Sequence, residues 1–248
     1  MFNAKFFLFP FLLTGFILQS CVSKPDKQTK STAEKSLEAN TVAPAVNIGG
    51  QKDTVFFKDT FVFDSYNDNG DYMILNAKKG KDLYGFINDE NNDRSLLKGD
   101  ICEITWKKKT IFISGDGETP EIADWLVSIT KVKEGNVSKL RKTYKNELKY
   151  HWSDKNSYSE SYLAQIYLLA EYYIANTKNK LINLAIKNKD EIEYSIEHKV
   201  ENGRDYDVLG IGYTFEHRFT IMQWIYIDRE TQKIYEYDLP NEKLTPFE

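Results

Sequence analysis

The sequence predicts an α+β chain in which a small β-barrel module is followed by a module of helices and an antiparallel meander. Three observations predict it. Between residues 54 and 135, short runs of alternating apolar and polar residues are punctuated by Gly, Asn and Asp. From 138 to 175 the apolar spacing lengthens to three and four, the period of a helix, and from 182 onward it shortens to two. The chain has 248 residues, 41% of them hydrophobic and 28% charged, with a formal net charge of -4. That composition suits a packed core and supplies no positive field for a phosphate backbone, so nucleic acid is not an expected partner.

The first element is an address. Lys5 precedes an apolar run, residues 6–18, which leads into Leu18-Gln19-Ser20-Cys21. A helix over that run would be roughly 20 Å long at about 1.5 Å per residue, short of the roughly 30 Å hydrocarbon core, so it reads as the removable part of a secretory signal spanning residues 1–20. The ending Leu18-Gln19-Ser20-Cys21 resembles the lipobox of bacterial lipoproteins. The resemblance implies cleavage before Cys21, acylation of that residue with chains such as palmitate, and a mature chain held on a membrane outside the cytoplasm. Several acyl chains on one residue would meet the need for more than a single lipid signal. Val22, where an Asp would favour inner-membrane retention, leans the address towards the outer membrane or cell surface. Residues 21–53 are rich in Ser, Thr, Lys, Ala and Asn, carry no aromatic residue, and are expected to form a flexible tether of roughly 30 Å r.m.s. span.

Residues 54–135 carry strand signals at 55–63, 72–77, 83–87, 101–106, 110–114 and 125–132. Between them lie Asn67-Asp68-Asn69-Gly70, Lys79-Gly80-Lys81, Lys98-Gly99-Asp100 and Gly115-Asp116-Gly117, all turn chemistry. Lys107-Lys108-Lys109 is read as a hairpin tip. This many short strands in so short a stretch suggest a small SH3-like or OB-like barrel. In the strand at 101–106, alternation puts Cys102, Ile104 and Trp106 on one face, so Cys102 is expected as a buried, inert thiol without a disulfide partner.

Residues 136–248 form the second module. Val137, Leu140, Tyr144 and Leu148 predict a helix over 138–149, and a second over 159–175 opens with Ser157-x-x-Glu160, which fits a capping box. Five period-two sets follow: Ile182, Leu184 and Ile186; Ile192, Tyr194, Ile196 and Val200; Leu209, Ile211, Tyr213 and Phe215; Phe219, Ile221, Ile225 and Ile227; and Tyr235, Tyr237 and Leu239. Paired about their turns, these sets fall on one side of a five-stranded antiparallel sheet, an α+β roll of cystatin-like or NTF2-like outline.

The chemistry-bearing patterns are sparse. Aligning Gly70 with the glycine of a calcium loop places Ser65 and Asn76 at ligand positions that need carboxylates, so the segment reads as a solvated turn. Residues 88–93 read as a polar loop. Asp116, Glu118 and Asp124 form an acidic group of the kind that performs acid-base work on a glycosidic bond. His198 and His217 each follow a Glu, but the meander separates them by roughly 26 Å at about 3.3 Å per residue, too far to share a metal. No catalytic residue, metal or cofactor is assigned.

The face of the sheet turned from the helices offers the candidate site. By parity it carries Met222, Trp224 and Tyr226 on one strand beside Gly210 and Gly212 on the next, with Glu193, Glu197 and Glu236 as an acidic rim. Glycines beside a Trp leave its ring uncovered, and such residues are typical interface anchors. The reading is a non-enzymatic, lipid-anchored binding protein of the bacterial envelope. Its partner is an envelope protein, polymer or small ligand. The alternatives are an envelope inhibitor or immunity-type protein and a carboxylate-dependent envelope hydrolase.

Overall fold

The computed structural model describes residues 55–113, 119–151 and 158–247, all within one compact unit, Val42–Glu248. Cys21, the tether, Asp116, Glu118 and Ser157 lie outside the described residues.

The first half is a closed five-stranded barrel. β1 (Phe56–Asn67), β2 (Ile74–Lys79), β3 (Asp82–Ile87), β4 (Ile101–Phe112) and β5 (Pro120–Lys133) close in the order β1-β2-β3-β5-β4, with β4 back on β1. All pairings are antiparallel except that of β3 with β5, at Ile87 and Trp125. The alternation does what its period dictates: Phe61 and Phe63, Leu75 and Ala77, and Cys102 and Ile104 all point into one core with Phe86 and Leu126. Phe61, Phe86 and Trp106 meet edge to face at centroid distances of 5.3 to 5.7 Å. Cys102 is fully buried, and burial pushes its thiol up to about 11.

Two expectations for the barrel are corrected. Lys107-Lys108-Lys109 is not a hairpin tip: it lies inside one twelve-residue strand, Ile101–Phe112, that runs through 101–106 and on to 112. β5 begins at Pro120 and runs long enough to pair each lysine, with Lys107 opposite Trp125, Lys108 opposite Asp124 and Lys109 opposite Ala123. The lysines are held there by an ion pair from Lys108 to Asp124 at 2.7 Å and by Lys109 Nζ lying 3.3 Å from the Trp125 ring centroid. Within the loop at 88–93, Asn88 is buried rather than solvated, at 1% exposure.

The second half packs three helices on one face of a six-stranded sheet. The helices are α1 (Asn136–Thr143), α2 (Glu160–Asn176) and α3 (Lys180–Asn188). The strands are β6 (Lys149–Tyr150), β7 (Glu193–Glu201), β8 (Arg204–Phe215), β9 (Arg218–Asp228), β10 (Ile234–Asp238) and β11 (Lys243–Pro246), in the order β11-β10-β9-β8-β7-β6. The core between them gathers Leu140, Ile166, Ala170, Tyr173 and Ile182 from the helices with Tyr194, Leu209, Ile211, Ile225 and Ile227 from the sheet.

α1 stops six residues before the expected end, yet all four apolar positions that predicted it are buried. Tyr144 at its C-cap donates its hydroxyl to Asp190 O at 2.5 Å and accepts from Ile192 N at 3.0 Å, stitching the helix end to the entrance of β7. The N-cap of α2 is Ser159, whose Oγ accepts from Tyr162 N at 3.2 Å, so the capping box expected at Ser157 is not what starts the helix. The stretch 182–186 is α3 rather than a strand. Asn179 Oδ1 accepts from the N–H groups of Leu181 and Ile182, and Lys189 closes the helix at φ 62°.

The two halves meet around Asp100, at the start of β4. Its carboxylate is fully buried and accepts from Ser138 Oγ (2.6 Å), Gly135 N (2.8 Å), Leu97 N (3.1 Å) and Lys131 Nζ (3.1 Å). One barrel side chain thus satisfies donors at the N-terminus of α1. Lys98 of the same loop lies 5.5 Å from the Tyr172 ring of α2.

Candidate binding face of the second sheet

The register of the sheet decides which candidate residues stand together. Gly210 pairs with Ser195 on β7 and with Trp224 on β9, and Val208 pairs with Tyr226. Trp224 and Tyr226 therefore share the outer face, turned from the helices, with Gly210. Met222 does not. The register of β9 against β8 shifts between Ile211 and Gly212, and the extra residue turns Met222 into the core under the helices while Ile221 takes the outer face.

A second slip moves β10. The turn after β9 is one residue longer than expected, with Asp228 N donating to Lys233 O, so Ile234 pairs with Ile227 and Glu236 with Ile225. Tyr235 and Tyr237, expected on the inner face, stand on the outer one, and Leu239 lies beyond the strand. Glu236, expected in the acidic rim, faces the helices, where its Oε1 accepts from Tyr173 Oη at 2.8 Å and Thr177 Oγ1 at 3.3 Å.

The outer face is consequently an aromatic layer. Tyr206, Val208 and Tyr226 are buried within it, and Trp224, Tyr235, Tyr237 and Leu244 pack around them. Tyr226 meets Tyr206 edge to face at 5.6 Å, lies tilted against Tyr237 at 5.4 Å, and is only 4% exposed. The expected exposed row is thus partly covered by its own neighbours and by Lys199, whose Nζ donates to Tyr226 Oη at 3.0 Å. That bond, with a second to Glu201, holds the Lys199 ammonium above its ordinary range. Trp224 is half-buried because its ring lies down on Gly210: a Cβ there would meet Trp224 Cζ3 at 3.0 Å, Ser195 Oγ at 2.7 Å and Ile221 Cδ1 at 2.9 Å. At Gly212 a Cβ would meet the Thr220 carbonyl oxygen at 2.2 Å. The two glycines do not leave an open trough; they admit the ring and the bulged backbone. Of the acidic rim, Glu197 remains exposed, and Glu193 is engaged by His151 Nδ1 at 2.6 Å.

The slip opens a feature that the sequence reading missed. β9 and β10 pair only from Ile227 to Ile225, and beyond that they part. Gln223 spans the gap, its Nε2 donating to Tyr237 O at 2.8 Å and Trp224 O at 2.9 Å. The parting leaves a cleft of about 480 Å³ lined by Ile221, Met222, Trp224, Glu236, Tyr237 and Asp238, among others. The one sequence signal was Gln223, a polar amide inside an apolar run.

The remaining candidates stand apart. His198 Nδ1 pairs with Asp207 at 2.8 Å, and Asp207 also accepts from Tyr162 Oη at 2.9 Å; burial and that carboxylate raise the Tyr162 phenol. His217 sits in the exposed turn between β8 and β9. Asp124, of the acidic group, is held by Lys108. In the turn after β1, Asn69 N donates to Asn67 Oδ1, and Arg94 clamps Asp68 through Nε and Nη2 at 3.0 and 2.9 Å. Among the described residues no group of three or more His, Cys, Asp or Glu side chains is placed to hold a metal ion, and no helix is long and apolar enough to cross a membrane.

No family model matches the chain, and no curated protein matches it. Among solved structures it is similar to an aspartyl tRNA synthetase from Entamoeba histolytica, at 10% identity and a TM-score of 0.23, over 66% of this chain and 48% of that one. The chain thus spans about half the length of that structure, and a likeness this low carries no argument about fold or function.

Proposed function

We propose that the chain is a lipid-anchored, extracytoplasmic binding protein of a bacterial envelope, acting without catalysis. The observation that carries the anchor is the run of apolar residues 6–18 ending in Leu18-Gln19-Ser20-Cys21. Acyl chains on Cys21 would hold the protein on the outer membrane or cell surface, and residues 22–53 would carry the folded part clear of the lipid. The finer fold reading belongs with this proposal. The strand order β1-β2-β3-β5-β4 and its single parallel pair favour an OB-like barrel over an SH3-like one, and the helix-covered sheet of the second half keeps an NTF2-like or cystatin-like outline.

Binding is read from the aromatic outer face and its adjoining cleft, which no helix of the second half covers. Trp and Tyr side chains with one half-exposed flank are the residues that interfaces use as anchors. The partner is an envelope protein, a polymer or a small ligand. An inhibitor or immunity-type protein would use the same surface and differ only in what it blocks.

The test of the anchor is metabolic labelling with a fatty-acid analogue in a bacterial host that lipidates its own lipoproteins. The wild-type chain is expected to incorporate label, and Cys21→Ala to accumulate as an unlabelled precursor. Equal labelling of the two would end the lipoprotein reading.

A further inference from the structure

We infer that the outward face of α3 docks on a membrane surface bearing anionic phosphate headgroups. The inference goes beyond the binding role proposed above and rests on the anchored reading for one thing only, the nearness of lipid.

Ile182 and Ala185 bury α3 in the core beneath the sheet. At about 3.6 residues per turn, Leu184 stands on the opposite side of the helix from Ile182. Lys180 and Leu181 lie one turn before Leu184, and Lys187 and Asn188 one turn after it, so two leucines share an outward patch bordered by two lysines. Leu181 is 57% exposed and Leu184 52%, which leaves that patch open.

The charge around the patch has one sign. From residue 172 to residue 189 the sequence carries Lys178, Lys180, Lys187 and Lys189 and no acidic residue, within a chain of net charge -4. All four lysines are exposed, and none makes an ion pair among the described residues. Glu171, the acid before this stretch, is buried in its pair with Arg141 of α1, and Asp190, the acid after it, lies beyond the end of the helix.

Uncompensated ammonium groups beside bare leucines fit a surface that offers phosphate and hydrocarbon together. A lipid leaflet does so, because lysine stems lie along its apolar boundary with their heads at phosphate level while the leucines enter it. A lipid-free anionic polymer would engage the lysines and leave the leucines in water. With its other side packed, α3 presents a narrow convex ridge, which a deformable leaflet accepts without a matching groove. The nine residues of α3 span about 14 Å at about 1.5 Å per residue, so the helix lies in the interface and does not cross it. The aromatic face of the sheet is on the side away from the helices, so a leaflet beneath α3 leaves that face open to a partner.

The experiment places an environment-sensitive fluorescent amino acid at Asn188 of the full-length chain and adds vesicles of phosphatidylcholine, alone or mixed with phosphatidylglycerol. A probe beside α3 reports that helix, whatever the apolar run 6–18 does on the same vesicles. The mixed vesicles are expected to shift the emission to the blue saturably, and the neutral ones to leave it unchanged. Lys180→Gln combined with Lys187→Gln should weaken the response at least roughly tenfold, and Leu184→Gln should abolish the blue shift. Both changes fall on exposed side chains, and an unchanged circular dichroism spectrum shows that the fold is kept. Equal response to the two kinds of vesicle, no response to either, or an undiminished response of the double lysine variant overturns the inference. So does an equal blue shift with polyphosphate, which has charge and no hydrocarbon. The anchor is decided separately by the labelling of Cys21.

Discussion

Gly210 and Gly212 show how single residues shape the outer face. At Gly210 the missing side chain is replaced by the ring of Trp224, the hydroxyl of Ser195 and the δ-methyl of Ile221, all within about 3 Å of where a Cβ would stand. Those are side-chain atoms and can yield. At Gly212 the obstacle is the Thr220 carbonyl at 2.2 Å, part of the backbone that bulges at Met222. The two alanine variants should therefore differ. Gly210→Ala is expected to cost about 1–2 kcal/mol, the usual penalty of overpacking, whereas Gly212→Ala must break the bulge and should cost roughly 3 kcal/mol or more. Chemical denaturation of both variants measures this. Equal losses would mean that β9 is not bulged there.

At the scale of elements, what the sequence made legible was whatever a single strand or helix decides for itself. The alternation of Cys102, Ile104 and Trp106 was enough to place the inward face of β4, and all three pack in the barrel core. The three-and-four apolar spacing that predicted a helix over 159–175 is that of α2, in which Ile166, Leu169, Ala170 and Tyr173 are buried. The errors lie where a neighbour decides. Lys107-Lys108-Lys109 resembles a turn until β5 is seen to run alongside it. Ile182, Leu184 and Ile186 fit a strand period, but the side chain of Asn179 caps the next two N–H groups and commits the segment to a helix, leaving Leu184 half exposed. The candidate site suffered most. One extra residue in the bulge moved Met222 inward, and one extra residue in the turn before β10 exchanged Glu236 for Tyr237. Both changes are single-residue slips in a lattice of period two, where any slip reverses every side chain beyond it. The cleft lies where β9 and β10 part beyond Ile225, a register that could not be read without the second slip.

At the scale of the whole molecule, Asp100 is the joint. Burial alone would raise its carboxyl, but the Ser138 hydroxyl, the Gly135 and Leu97 N–H groups and Lys131 outweigh that and hold it below the ordinary carboxylate range. A carboxyl depressed in the folded state contributes stability that is present above its unfolded value, near 4, and is lost as pH falls through the folded value. Thermal melts of the wild-type chain should thus lose stability progressively below about pH 4, and Asp100→Ala should lower stability by roughly 2–4 kcal/mol at pH 7 by leaving buried donors unpaired. The gap between wild type and variant should narrow in acid. A gap that stays constant from pH 7 to pH 3 would show that the charge of Asp100 does not hold the joint.

The proposed function places partner recognition on the outer face of the second sheet and at the mouth of the adjoining β9-β10 cleft. Site-specific photo-cross-linking in the native envelope tests it most directly. A photoreactive residue placed at Leu239, which is 64% exposed and lines the cleft, is compared with the same residue at Leu83, which is 60% exposed on the barrel. A discrete adduct is expected from Leu239 and none from Leu83. Adducts of equal yield at the two positions, or an adduct from Leu83 alone, would contradict it.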